Sequence, residues 1–248
     1  MKLGDEYPDI VAKGGLGAAV QGELANLGSD LQVTGLHDQP ATLPGKFPAY
    51  ARIERGLRSS QVMLAAEVRR FSADFWNQGV CMAHGWFDDL SRLATAVEGW
   101  IGQKWDTARL KRECPKVEVK AQAAAFESGS EVRWTWERYV REGTGDGLDA
   151  FMQAAWANAR LCQLFPFRSL WWICLSRCTG WPYFTAGLPV VRAIRDNWYQ
   201  VQARQEGAVL GEGDAETAVA IVVAHLPKNC LAAVPGTAEQ FEKPDPQA

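Results

Sequence analysis

A chain of 248 residues is long enough to bury a core without disulfides or metals, as one large domain or as two small ones packed closely. Apolar residues make up 47% and charged residues 22%, a balance that excludes an intrinsically disordered chain. The net charge of −3, with both signs interspersed, leaves no electrostatic footprint for nucleic acid or an anionic membrane.

The opening MKLGDEYPDIVAKGG has no uninterrupted apolar stretch, so no secretory leader is expected. Residues 8 to 28 are predicted as one helix. Pro8 suits its first turn, Ile10, Val11, Leu16, Val20, Leu24 and Leu27 share a face, and Gly28 ends it. Gly14, Gly15 and Gly17 weaken that helix without making a nucleotide loop, since no strand precedes them and no Lys follows. From 30 to 49 the chain reads as a connector rich in proline.

The period then changes to two. Gln61–Glu67 is one run, Phe71, Ala73 and Phe75 alternate with polar residues, and Val80, Met82, His84 and Trp86 share a third face. Short spacers make this an antiparallel meander. A helix follows, with Asp88 as the expected cap, Leu90, Leu93, Ala94, Val97, Trp100 and Ile101 on its stripe, and Gly102 at its end. The run Arg109, Lys111, Arg112, Glu113 is read as a wet helix face. A second pair of helices is expected between about 116 and 163, broken at Gly143–Gly147, with Leu148, Phe151, Met152, Ala155, Ala159 and Cys162 as the clearest apolar face.

Pro166 returns the chain to strands. Leu170–Leu175 fits a central strand, Val190–Ile194 and Trp198–Ala203 flank a turn at Asp196-Asn197, and Ala208–Leu210 is a further run. Asp214 caps a last helix with Ala215, Ala218, Val219, Val222 and Leu226 inward, stopped by Pro227. The predicted class is α+β, with antiparallel strands in both halves and helices packed on them. Residues 1–234 are taken as one compact unit with sub-halves 1–115 and 116–234, and 235–248 as a flexible tail. Both halves run from meander to Asp cap to amphipathic helix, without enough identity to establish a repeat.

No run approaches the roughly 18 apolar residues of a membrane span. The richest stretch, Leu161 to Cys178, is interrupted by Gln163, Pro166, Arg168, Ser169, Ser176 and Arg177. The cytoplasm is therefore expected, with Cys81, Cys114, Cys162, Cys174, Cys178 and Cys230 as free thiols. There is no CxxC, and His37, His84 and His225 are far apart in sequence, so no metal site is expected. Motifs for nucleotide, nicotinamide, serine-hydrolase and metalloprotease chemistry are missing, so no cofactor is expected. Eleven tryptophans are unusual: each brings a large apolar area and one N–H, and most are read as core packing, with some lining a cavity.

Four segments resemble, in order along the chain, an actinobacterial family of natural-product-biosynthesis proteins of unknown function. They are YPDIVAKGGLGAAVQGELANLG, GWFDDLSRLATAVEGWIG, LFPFRSLWWICLSRCTGWPYF and VLGEGDAETAVAIVVAHLPKNCLAAVPGTAE. The resemblance implies a role in secondary metabolism and transfers no catalytic residue.

Two places in the sequence can carry chemistry. Phe165–Phe184 gathers Arg168, Trp171, Trp172, Arg177, Cys178, Trp181 and Tyr183: apolar walls with Arg177 to hold an oxyanion, Tyr183 to donate a hydrogen bond, and Cys178 as a nucleophile if a His comes close. The plain alternative is a central strand with arginines at its wet ends. His84, before Trp86 and a helix start, is placed to act as a general base. The plain alternative there is a half-buried His bonded to a backbone carbonyl. Glu67 and Asp74 flank a hairpin, and alternation puts Asp74 opposite the apolar face, in solvent. The expectation is a cofactor-free cyclase or isomerase acting on an apolar, conjugated small molecule, with a homodimer as one assembly open to it. The competing class is a non-catalytic binding, resistance or adaptor protein.

Overall fold

A computed structural model describes residues 6–37, 50–66 and 68–242. Its contacts divide the chain into two compact units between Ala124 and Ala125.

In the first unit the expected single helix is two, α1 (Pro8–Ala12) and α2 (Leu16–Asn26). Gly14 and Gly15 stand between them at φ +88° and +114°, conformations that L side chains rarely adopt, and so turn the chain there. The connector read over 30–49 contains a strand, β1 (Val33–His37), and residues 38–49 lie outside the described residues. An antiparallel meander continues through β2 (Tyr50–Arg55), β3 (Arg58–Leu64), β4 (Phe71–Asn77) and β5 (Val80–Phe87). Helices α3 (Leu90–Ile101) and α4 (Thr107–Glu113) follow, and β6 (Val117–Val119) completes a six-stranded sheet in sequential order.

Helices α2 and α3 pack on one face of that sheet. Alternation supplies the contact: Ile53, Val62, Leu64, Phe71, Ala73 and Phe75 point inward and are fully or almost fully buried, as are Leu16, Val20, Leu24, Leu93, Val97 and Trp100 from the helices. Tyr7 pins the turn between β3 and β4. Its hydroxyl accepts the Arg70 N–H at 3.0 Å and lies within 3.0 Å of the carbonyls of Ala65, Val68 and Arg70. The cap of α3 is Asp89, not Asp88: Asp89 Oδ1 accepts Ser91 N–H at 2.6 Å, while Asp88 turns outward to basic side chains.

The second unit opens with helices, including α6 (Glu131–Glu142) and α7 (Asp149–Ala157), after α5 (Ala123–Ser128) has crossed the division. The stretch predicted as a helix pair over 116–163 thus holds β6, three α-helices and a 3-10 turn at Leu161–Gln163. The turn at Gly143–Gly147 forms as expected, with all three of its glycines at positive φ and Asp149 accepting Thr144 N–H at 2.6 Å. A five-stranded antiparallel sheet follows: β7 (Phe165–Ser169), β8 (Trp172–Ser176), β9 (Pro189–Arg195), β10 (Trp198–Ala203) and β11 (Val209–Gly213). Pro166 is tolerated inside β7 because β7 is an edge strand. The strand expected at Leu170–Leu175 begins two residues later. Leu170, at φ +54°, and Trp171 form the tip of the β7–β8 hairpin.

Asp214 caps α8 (Ala215–Ala224) as expected, accepting Thr217 N–H at 2.9 Å. That helix joins α6 and α7 in a core with Ile173, Leu175, Val191, Tyr199 and Val201. Ala159, placed on the apolar face of α7 by its spacing, is exposed because α7 ends at Ala157. The stretch from Pro235 that was expected as a tail carries a single turn, α9 (Glu239–Glu242), and Phe241 stacks on Phe184 at 5.0 Å. The two sheets with helices packed against them make the α+β class. Among the described residues no helix is long and apolar enough to cross a membrane.

Candidate active site on the first sheet

The second face of the first sheet carries a row of polar side chains. Its register sets Arg52, Gln61, Asp74, His84 and Glu118 side by side across β2 to β6. His84 Nδ1 lies 2.7 Å from Asp74 Oδ1, and both side chains remain open to solvent at 23% and 22% exposure. A carboxylate only accepts, so Nδ1 donates, and in the neutral ring Nε2 is then the nitrogen with the lone pair. Among the described residues Nε2 has no hydrogen-bond partner. The carbonyl expected to hold this ring is thus a carboxylate, and Asp74, expected in solvent, is its orienting group.

A β-bulge makes the pair. The two-residue turn Gln78-Gly79 sets Asn77 opposite Val80, which taken alone would bring Ala83 opposite Asp74. The extra residue at Cys81-Met82 advances the register by one and delivers His84 instead. It also removes Met82 from the face assigned to it with Val80, His84 and Trp86: Met82 is fully buried, whereas Trp86 is 41% exposed. The Trp86 ring stands edge-on to His84 at 5.4 Å. Between them Gly85 faces the core, where a Cβ would come within 2.7 Å of Val117 Cγ2.

Cys81 belongs to the same neighbourhood. Burial, and then the Asp74 charge, push its thiol up to about 11, so it is a poor nucleophile at neutral pH. Trp76 Nε1 is buried without a hydrogen-bond partner among the described residues.

Beside the dyad opens a cleft of about 350 Å³ lined by Arg70, Trp86, Lys111, Pro115, Lys116 and Glu118. Trp86 and Glu118 are the immediate neighbours of His84 along β5 and across to β6. Lys111 Nζ donates to the carbonyls of Pro115 at 2.8 Å and Val117 at 2.7 Å, which fixes its charge at the cleft wall. None of the three cations was singled out from sequence as a site residue. The sequence pattern places Arg70 on the polar side of β4 and Lys111 on a wet helix face, both as solvated charges.

The remaining sequence-predicted residues lie in the second unit. Arg168 braces the hairpin, donating to Thr144 O at 2.8 Å, Asp146 Oδ2 at 2.5 Å and Leu170 O at 3.1 Å. Trp171 and Trp181 are 71% and 68% exposed, the latter before a cis peptide bond to Pro182. Trp172 lies under the Arg192 guanidinium at 5.0 Å. Arg177 sits over Phe184 and Phe241, 5.6 Å from each ring, with Nε buried and unpartnered among the described residues. Tyr183 stacks on Phe167 at 4.0 Å, and burial pushes its hydroxyl up to about 12.

Cys178 is fully buried, and its sulfur accepts Phe184 N–H at 3.0 Å. Neither described histidine ring bonds to it: His84 bonds Asp74, and His225 bonds Ile221 O at 2.8 Å. A second cleft, of about 260 Å³, involves Leu188, Arg204, Leu210 and His225, and none of the tryptophans expected to form a pocket. Among the described residues no group of three or more His, Cys, Asp or Glu is placed to hold a metal ion.

Residues 130–237 match a family of unknown function, DUF6193. No curated protein and no solved structure matches the chain.

Proposed function

We propose that the chain is a cofactor-independent isomerase or cyclase in which His84 Nε2 takes a proton from a conjugated small molecule bound against Trp86 and returns it at another atom. Asp74 holds the imidazole in the required tautomer and balances the positive charge that forms on it. The observation that carries this reading is the 2.7 Å His84–Asp74 pair, 23% and 22% exposed, with no hydrogen-bond partner on Nε2 among the described residues. Proton transfer by a positioned imidazole contributes about 10²–10⁴ in rate, enough for isomerising an already acidified C–H. Natural-product biosynthesis is the setting we assign, supported by the four-segment resemblance.

The test is incubation of the purified protein with conjugated intermediates in D₂O. Turnover with deuterium incorporation is expected, and it should fall by about 10²–10⁴ in both His84→Gln and Asp74→Asn. Stoichiometric binding without exchange would instead place the chain among carriers, resistance factors or adaptors. Unchanged turnover in both variants would remove His84 from the mechanism.

A further inference from the structure

Asp88 is held between two cations that line the cleft. It follows β5 directly, and its two carboxylate oxygens take separate cations: Oδ1 takes Arg70 Nε at 3.3 Å, and Oδ2 takes Lys116 Nζ in a short contact. Arg70 precedes β4 and Lys116 precedes β6, so the flanks of three adjacent strands bring these charges to one end of the cleft. Three cations line that cleft against one carboxylate, Glu118, and Asp88 offsets only part of the surplus. Lys116, and after it Arg70, hold Asp88 below the usual carboxylate range. All three partners are more than 45% exposed, so their ion pairs are screened and replaceable.

We propose that the cleft binds the oxyanion, carboxylate or phosphate, of a flat conjugated ligand, and that Asp88 is an internal stand-in which the ligand displaces. Trp86 supplies the stacking face, Lys116 and Arg70 the charge. The geometry limits the ligand. Lys116 is two residues along the β6 direction from Glu118, the cross-strand partner of His84, a separation of about 7 Å. The oxyanion therefore sits about two strand residues from the row holding the base, as in an arylic or enolic acid. This names the substrate class of the proton-transfer site and rests on that reading only for the position of the reacting atom.

The test is a titration of the whole chain with benzoate, phenyl phosphate and the neutral benzamide at low ionic strength. It is followed on the Trp86 indole N–H resonance, which is identified with Trp86→Phe. Either anion should shift that resonance, and benzamide at least tenfold more weakly. Asp88→Asn should tighten anion binding at least threefold, and Lys116→Gln should weaken it at least threefold. A preference for phenyl phosphate or for benzoate distinguishes the two acid groups and supports the inference either way. No anion-dependent shift in the wild type and in Asp88→Asn, equal binding of benzamide, or an unchanged or weaker affinity in Asp88→Asn would overturn it. Because the readout is occupancy and not turnover, it stands or falls separately from the role of His84.

Discussion

At the scale of single residues, the dyad makes Cys81 a local reporter. Its thiol is pushed up to about 11 by burial first and by the Asp74 charge second. Because the folded state holds this proton more tightly than the unfolded chain does, the stabilisation is complete below the reference value of 9.0. It is lost as pH rises from there through about 11. Alkylation of Cys81 by iodoacetamide at pH 8, followed by peptide mass mapping, should run about a hundredfold slower than that of an unperturbed thiol. Asp74→Asn should speed it, since only the burial contribution then remains. An unchanged rate in that variant would mean that the Asp74 charge does not reach this face. Tyr183 carries a comparable upward shift, to about 12, but lies against Phe167 and reports packing in the second unit.

At the scale of elements, two adjacent aspartates separate capping from charge display. Asp89→Ala should cost about 1 kcal/mol, the usual worth of an N-cap, because Ser91 N–H loses its acceptor at the start of α3. Asp88→Ala should leave stability nearly unchanged, its exposed pairs being worth little. Urea unfolding of the two variants checks both expectations, and a reversed order would return the cap to Asp88.

Sequence pattern named the residue type here and missed its position by one. The same kind of slip explains most differences in the fold. Alternation in Phe71, Ala73 and Phe75 was enough to place β4, and Asp214 with its following stripe was enough to place α8. A bulge leaves no mark on a period-two pattern, so the Asp74–His84 pairing was hidden although His84 and Asp74 had each been singled out. Leu170 and Trp171 read as strand because they are apolar, yet a two-residue hairpin needed a positive φ at Leu170, which composition does not signal. Lys116 and Arg70 were illegible as a pair because they stand 46 positions apart and meet only through the ends of β4 and β6.

At the scale of the whole molecule, the two units have separate sheets and separate roles in this account. The matched family covers residues 130–237, in the second unit, where Trp136, Phe151, Tyr199 and Val222 form a dense core. The candidate dyad and its cleft lie in the first unit, outside the matched segment. Tryptophan abundance was read as a pocket in the Phe165–Phe184 stretch. There Trp171 and Trp181 face solvent, whereas Trp86, which borders the cleft, is in the first unit. The proposed chemistry consequently depends on the imidazole of one strand and the carboxylate of its neighbour. Nitrogen-15 NMR of the histidine rings at pH 8 tests that dependence most directly. His84 is expected as the Nδ1–H tautomer with an unprotonated Nε2, and that preference is expected to be lost in Asp74→Asn. A His84 ring protonated at Nε2 in the wild type would contradict that expectation.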